Sequence, residues 1–111
     1  MNELTEEEFY EKVYDIKTKE VKATKNTVVD FYSSTCGPCR MFGKLFEQFS
    51  ETFADWDFYK VCIDDADDIM IEYKLRTMPT VLRIKGGVQE LFAGVHKAEE
   101  LQEILTGEIE N

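Results

Sequence analysis

Between Thr27 and Tyr32 the chain reads Thr-Val-Val-Asp-Phe-Tyr, a run of β-branched and aromatic residues broken by one carboxylate. So little polar alternation predicts a central strand covered on both faces. The period then changes. Met41, Phe42, Leu45, Phe46, Phe49 and Phe53 recur at three- and four-residue intervals, which predicts an amphipathic helix from about Cys36 to Phe53. Upstream, Thr5 and Glu8 form a T-x-x-E capping box with Phe9, Val13 and Ile16 at helical spacing behind it, so a first helix is expected over about Glu6 to Asp15. The lysine-rich segment from Lys17 to Asn26 reads as a basic loop or a frayed extension of that helix.

Downstream, Asp57 to Ile63 reads as a second strand and Asp67 to Lys74 as a short helix opened by Asp67 or Asp68. Thr80 to Ile84 reads as a third strand, entered at Pro79. Lys85, Gly86 and Gly87 make a hairpin turn into Val88–Ala93, antiparallel to its predecessor. A last helix over about Lys97 to Thr106 carries Leu101, Ile104 and Leu105 on its buried side. This order predicts one α/β domain over residues 1–111, with a central mixed sheet flanked by helices on both faces.

Charge and composition narrow the function. Thirteen Lys and Arg against 23 Asp and Glu leave a net charge of −10, which argues against general nucleic-acid or anionic-membrane binding. No stretch approaches the ~18 consecutive apolar residues of a membrane span, and the acidic opening lacks the pattern of a signal peptide, so a cytoplasmic address is the simplest expectation. Three cysteines are an odd number and a poor disulfide framework.

Two of the three, Cys36 and Cys39, enclose Gly37-Pro38 where the first central strand passes into a helix. Crevices at such strand ends are the usual place for chemistry in a partly parallel sheet. Unpaired N–H groups and the positive end of the helix dipole favour an anion there, so the first thiol ionises more easily than free cysteine. Residues three apart on a helix have Cβ atoms ~5 to 6 Å apart, and a disulfide wants about 3.5 to 4.5 Å, so the pair can close with modest adjustment. As a staple so short a ring recovers only ~2 kcal/mol. Structural zinc takes four ligands, and only Cys62 and His96 are left to complete such a set. Redox chemistry is the reading these residues favour, with no metal.

Asp30, six residues before Cys36, sits in the middle of the apolar strand, where an unpaired carboxylate costs several kcal/mol. Desolvation raises its pKa and suits it to exchange a proton with the second thiol. Lys60, amid the second strand, is a candidate counter-charge; the alternative is that either side chain reaches solvent at a strand edge. Cys62 reads as a buried strand residue, His96 as a surface residue, and the acidic run at residues 64–68 as a solvated helix start.

With Val28 to Phe42, Tyr59 to Asp65, Thr77 to Thr80 and Gly86 to Gly94 in this order, the chain resembles the thioredoxin family over nearly its whole length. The resemblance implies the thioredoxin fold and a protein disulfide reductase. In it Cys36 is the attacking thiolate, Cys39 the resolving thiol, and Asp30, helped by Lys60, moves the proton. It further implies that Pro79 follows a cis peptide bond, which composition alone gives only ~5 to 6 percent of the time. Gly37 and Pro38 would shape the redox turn, and Gly87 would serve the hairpin. Thr35, Met78 and Gly94 would face the substrate, with the Met78 backbone pairing to it. No cofactor is implied on the chain itself. The implied partners are disulfide-containing clients and an NADPH- or ferredoxin-linked thioredoxin reductase; a monomer is the default expectation. The chain departs from the family in having Thr35 and Tyr32 where tryptophans are usual, and Lys44, next to Gly43, where a kinking proline often sits. Only Met1 to Leu4 precede the first helix, so the family's first strand is expected to be short or absent.

Overall fold

Strand β4 (Thr27–Tyr32) is the centre of the molecule, with Thr27 to Phe31 all buried. In this computed structural model, which describes residues 2–107, β4 pairs in parallel with β5 (Asp57–Cys62) and antiparallel with β6 (Thr80–Lys85). The hairpin partner β7 (Val88–Ala93) closes one edge, and a two-residue strand β1 (Asn2–Glu3) lies parallel to β5 at the other. The sheet order is therefore β1-β5-β4-β6-β7. The first strand is short but present.

Alternation along β4 sends side chains to two different cores. Val29 and Phe31 face a cluster with Phe9 from the first helix and Val13 just after it, Ile69 from the third, and Leu82 and Ile84 from β6. Val28 faces the other side, where Phe42, Phe46, Phe58, Val81, Leu101 and Leu105 form a second cluster around α2 (Gly37–Thr52) and α4 (Ala98–Thr106). Asp30, two residues after Val28, belongs to the α2 side. Trp56 is buried in this second cluster.

The helix α1 (Glu6–Lys12) starts as its sequence predicts, with Thr5 and Glu8 exchanging both capping-box hydrogen bonds, but it stops three residues early. The Val13 carbonyl accepts from the backbone N–H groups of Lys22 and Ala23, and Asp15 Oδ1 accepts from those of Lys17 and Thr18. These bonds compete with a further helical turn. The expected basic loop is instead a small hairpin, β2 (Tyr14–Asp15) against β3 (Glu20–Val21), turned through Lys19 at φ 61°. Its Lys19 pairs with Glu72 at 2.6 Å.

Helix α3 (Asp67–Glu72) is also shorter than the sequence pattern, ending before Lys74, whose φ of 52° cannot continue a helix. A single 3₁₀ turn, Ile63–Asp65, links it to β5. The β6–β7 turn uses Gly86 and Gly87 at φ 57° and 77°, the left-handed pair that a tight two-residue hairpin requires. Among the described residues no helix is long and apolar enough to cross a membrane.

Candidate active site

Cys36 is the N-cap residue of α2, where β4 has just ended and the helix presents its unpaired N–H groups. Its Sγ accepts from the Cys39 backbone N–H at 3.2 Å. The two cysteines, with Cα atoms 5.3 Å apart, are joined in a disulfide. Cys36 is half-buried, whereas Cys39 is only 4 % exposed, so an incoming sulfur reaches Cys36 first. The helix lacks any carboxylate in its first turn, and Gly37 and Pro38 are exposed there. Pro38 fits a helix start, where its missing N–H costs nothing.

The loop before β6 comes up against this pair. The Met78–Pro79 peptide bond is cis, as the family resemblance implied, and the Met78 carbonyl oxygen lies 3.5 Å from Cys36 Sγ. Pro79 is buried and its carbonyl accepts from the Gly94 N–H at 2.9 Å, so the hairpin end is tied to the proline loop. Gly94 holds φ 90°, a conformation that favours glycine.

Beneath the disulfide, Asp30 is 1 % exposed and its Oδ1 has no hydrogen-bond partner among the described residues. Burial pushes its pKa up to about 7, against a smaller downward pull from Lys60. Those two residues are register partners on β4 and β5. They do not form an ion pair: Lys60 Nζ rests over the Tyr32 ring, 5.0 Å from its centre. Asp30, Lys60 and Cys39 line one cleft, so the carboxyl group faces the same space as the second sulfur.

Asp64 was not singled out by its sequence context. Read there as part of a solvated helix start, it hydrogen-bonds the Ser34 hydroxyl, the Ser33 hydroxyl at 3.2 Å and the Ser34 N–H at 3.4 Å. Those bonds hold its pKa below the usual carboxylate range, the Ser34 hydroxyl contributing most. Ser33 in turn contacts the Thr35 hydroxyl at 3.2 Å. The exposed loop that delivers Cys36 is thus pinned to the end of β5. No periodicity in the sequence could show this, because the bonds span about thirty residues.

Two further expectations are corrected. Cys62 is half-exposed, because it ends β5 beside a shallow cleft lined by Glu3, Leu4 and Asp65. His96 is half-buried, its Nε2 3.3 Å from the Phe92 carbonyl oxygen and its ring edge-on to Phe42. Among the described residues no three His, Cys, Asp or Glu side chains are grouped to hold a metal ion.

The thioredoxin family model matches residues 1–107. The chain belongs to the thioredoxin family. It is 38% identical over 86 residues to a thioredoxin of Mycoplasmoides gallisepticum, covering 77% of this chain and 86% of that protein. A Borreliella burgdorferi thioredoxin is likewise 38% identical over 85 residues, covering 73% of each chain. Among solved structures, Fasciola hepatica thioredoxin superposes with a TM-score of 0.76 at 28% identity, over 96% of this chain and 97% of that one. The thioredoxin of Malassezia sympodialis gives 0.74 at 31% identity, over 96% and 88%. The mixed sheet and its flanking helices are the thioredoxin fold, and the protein is a thiol–disulfide oxidoreductase that acts on disulfide-bearing client proteins.

Proposed function

We propose that the protein is a reductant of protein disulfides that works through Cys36 and Cys39. The carrying observation is the placement of the pair: a reachable Cys36 at a helix N-terminus, a buried Cys39 behind it, and a carboxyl group with a pKa of about 7 in the same cleft. The Cys36 thiolate attacks one sulfur of a client disulfide, forming a mixed disulfide and releasing the other client sulfur as a thiolate. Asp30 takes the Cys39 proton, and the Cys39 thiolate then attacks Cys36 Sγ. That closes the intramolecular disulfide and frees the second client sulfur. Two electrons pass to the client, which takes up two protons.

In this reading Lys60 tunes the charge felt by Asp30, and Gly37 and Pro38 shape the turn. The cis Pro79 presents the Met78 carbonyl to a client strand, with Thr35 and Gly94 at the rim. The oxidised pair is restored by a thioredoxin reductase fed by NADPH or ferredoxin, with no cofactor on this chain. A monomer in the cytoplasm suits the scheme, because one chain carries both sulfurs and the carboxyl group, and a dithiol kept ready needs a reducing pool. Thr35 and Tyr32 leave the rim less aromatic than is usual in the family, which bears on which reductases and clients it accepts.

The reduction potential of the pair, measured by equilibration against defined thiol–disulfide ratios, tests this. Thioredoxins are themselves the reference couple near −270 mV, a property of the family and not a value obtained for this chain. A potential at or below roughly −250 mV is expected. A value near −180 mV, in the range of disulfide isomerases, would instead make the protein an oxidant or isomerase. Cys36→Ser abolishes reduction of a client disulfide, and Cys39→Ser accumulates the mixed disulfide.

A further inference from the structure

Arg40 and Lys44 lie one helical turn apart on α2, hence on one face, and both line the cleft of about 350 Å³ into which Cys39 and Asp30 also look. Lys60 reaches the same cleft from β5. Elsewhere on the molecule Lys19, Lys22, Lys25 and Arg83 pair with carboxylates. Arg40, Lys44 and Lys60 form no ion pair among the described residues. From Gly37 onward α2 carries no carboxylate until Glu47, which also lines the cleft but sits eight residues beyond Cys39, about 12 Å along the axis. Asp30, the other acid there, is partly protonated at neutral pH. Between the two cations Gly43 leaves the wall open: a Cβ at that position would meet nothing within 4 Å.

The end of β5 and the start of α3 carry the reverse sign. Asp64, Asp65, Asp67 and Asp68 cluster from the end of β5 into α3, and Asp64 grips the loop just before Cys36. Ser33 and Ser34, which Asp64 grips, also line the cleft, so the cleft has a cationic wall on the α2 side, from Arg40 and Lys44, and an acid bordering its loop side.

We infer that the α2-side cleft is a subsite for a carboxylate of the client polypeptide, so that disulfides with an Asp or Glu beside the cystine are the preferred substrates. The inference rests on the disulfide-reductase reading and adds its substrate class. The cleft is at the small end of ligand-site volumes, suited to one acidic side chain. A client acid is drawn to the wall that carries Arg40 and Lys44, with Lys60 behind them, and away from the loop side that Asp64 borders, which biases the orientation of the client as well as its encounter rate.

The test uses two disulfide-linked peptide dimers, identical except for Glu or Lys beside the cysteine, and bis(2-hydroxyethyl) disulfide as a neutral control. At an ionic strength of roughly 20 mM, kcat/KM should favour the Glu dimer by about tenfold, and the preference should shrink toward unity near 0.5 M salt. Arg40→Glu with Lys44→Glu should invert the preference, and the milder pair Arg40→Gln with Lys44→Gln should erase it. Reduction of the neutral control should change by less than about twofold in either variant. Equal preference in the unaltered protein and both variants, with the control reduced normally, removes the subsite and leaves the reductase intact. Failure of the unaltered protein to reduce any of the three disulfides overturns the reductase reading, and the subsite with it.

Discussion

Asp30 combines near-complete burial with an unpartnered carboxyl oxygen, and the balance of stability at this one residue runs against its proposed role in proton transfer. Its folded pKa of about 7 stands above the ordinary 3.8 because burial penalises the charged form. Between those values the folded chain holds a proton that the unfolded chain has lost, so stability falls as pH rises from about 4 to about 7 and levels off above. The upper limit is on the order of 4 kcal/mol. Asp30→Asn is expected to match the parent below pH 4 and to be more stable by ~2 to 4 kcal/mol at pH 8, as read from urea unfolding, while turnover near neutral pH falls. A flat difference between the two proteins across pH would remove the buried-charge account. Asp64 has the opposite sign: its depressed pKa makes its hydrogen bonds fully available above the usual carboxylate range and loses them as pH falls through the folded value. Asp64→Ala should speed amide exchange at Ser34 and Thr35 several-fold without altering exchange in β4. Unchanged exchange in the loop would mean that the serines find other partners. Asp30 was legible in the sequence because a carboxylate inside an apolar strand is conspicuous. Asp64 was not, because in a run of exposed acids only the fold distinguishes one from the next.

At the scale of elements, the helix starts and the ends of α2 and α4 fell where the sequence placed them, whereas α1 and α3 stop early. The capping box at Thr5 and the Gly-Pro start of α2 are local signals in contiguous residues. The end of α1 depends on backbone bonds from Lys22 and Ala23, which a helical period cannot anticipate. Helix α4 ends at Thr106 as its period predicts, yet what holds that end is distant in sequence. Its last turn has no basic residue of its own, and its carbonyls are satisfied from the sheet. Arg83 Nη1 donates to the Ile104 carbonyl at 2.7 Å, and Lys85 Nζ donates to those of Leu105 and Gly107 at 3.2 and 2.6 Å. Cations at these carbonyls also complement the negative end of the helix dipole. Lys85→Met should therefore cost about 1 to 2 kcal/mol and loosen the last turn of α4 in amide exchange while leaving α2 unaffected. Uniform exchange in the variant and the parent would show that the last turn is held by packing of Leu101, Ile104 and Leu105 alone.

For the whole molecule, the sheet separates two apolar cores, and the one beneath α2 carries the catalytic helix. Phe46 is fully buried there, its ring 5.0 Å from that of Phe58 and 5.8 Å from that of Phe42. Phe46→Ala should cost about 3 to 5 kcal/mol in urea unfolding. A cost below about 1 kcal/mol would show that α2 is anchored elsewhere. By itself the sequence determined the layered α/β architecture, the central strand, the redox pair and its buried carboxylate, because each is written in contiguous residues as a period, a spacing or a misplaced charge. Tertiary structure alone decided the Asp64 clasp on the cysteine loop, the sheet's grip on α4 and the charged lining of the cleft beside Cys39. Those join residues tens of positions apart, and their partners are selected by which strands pair and which faces meet.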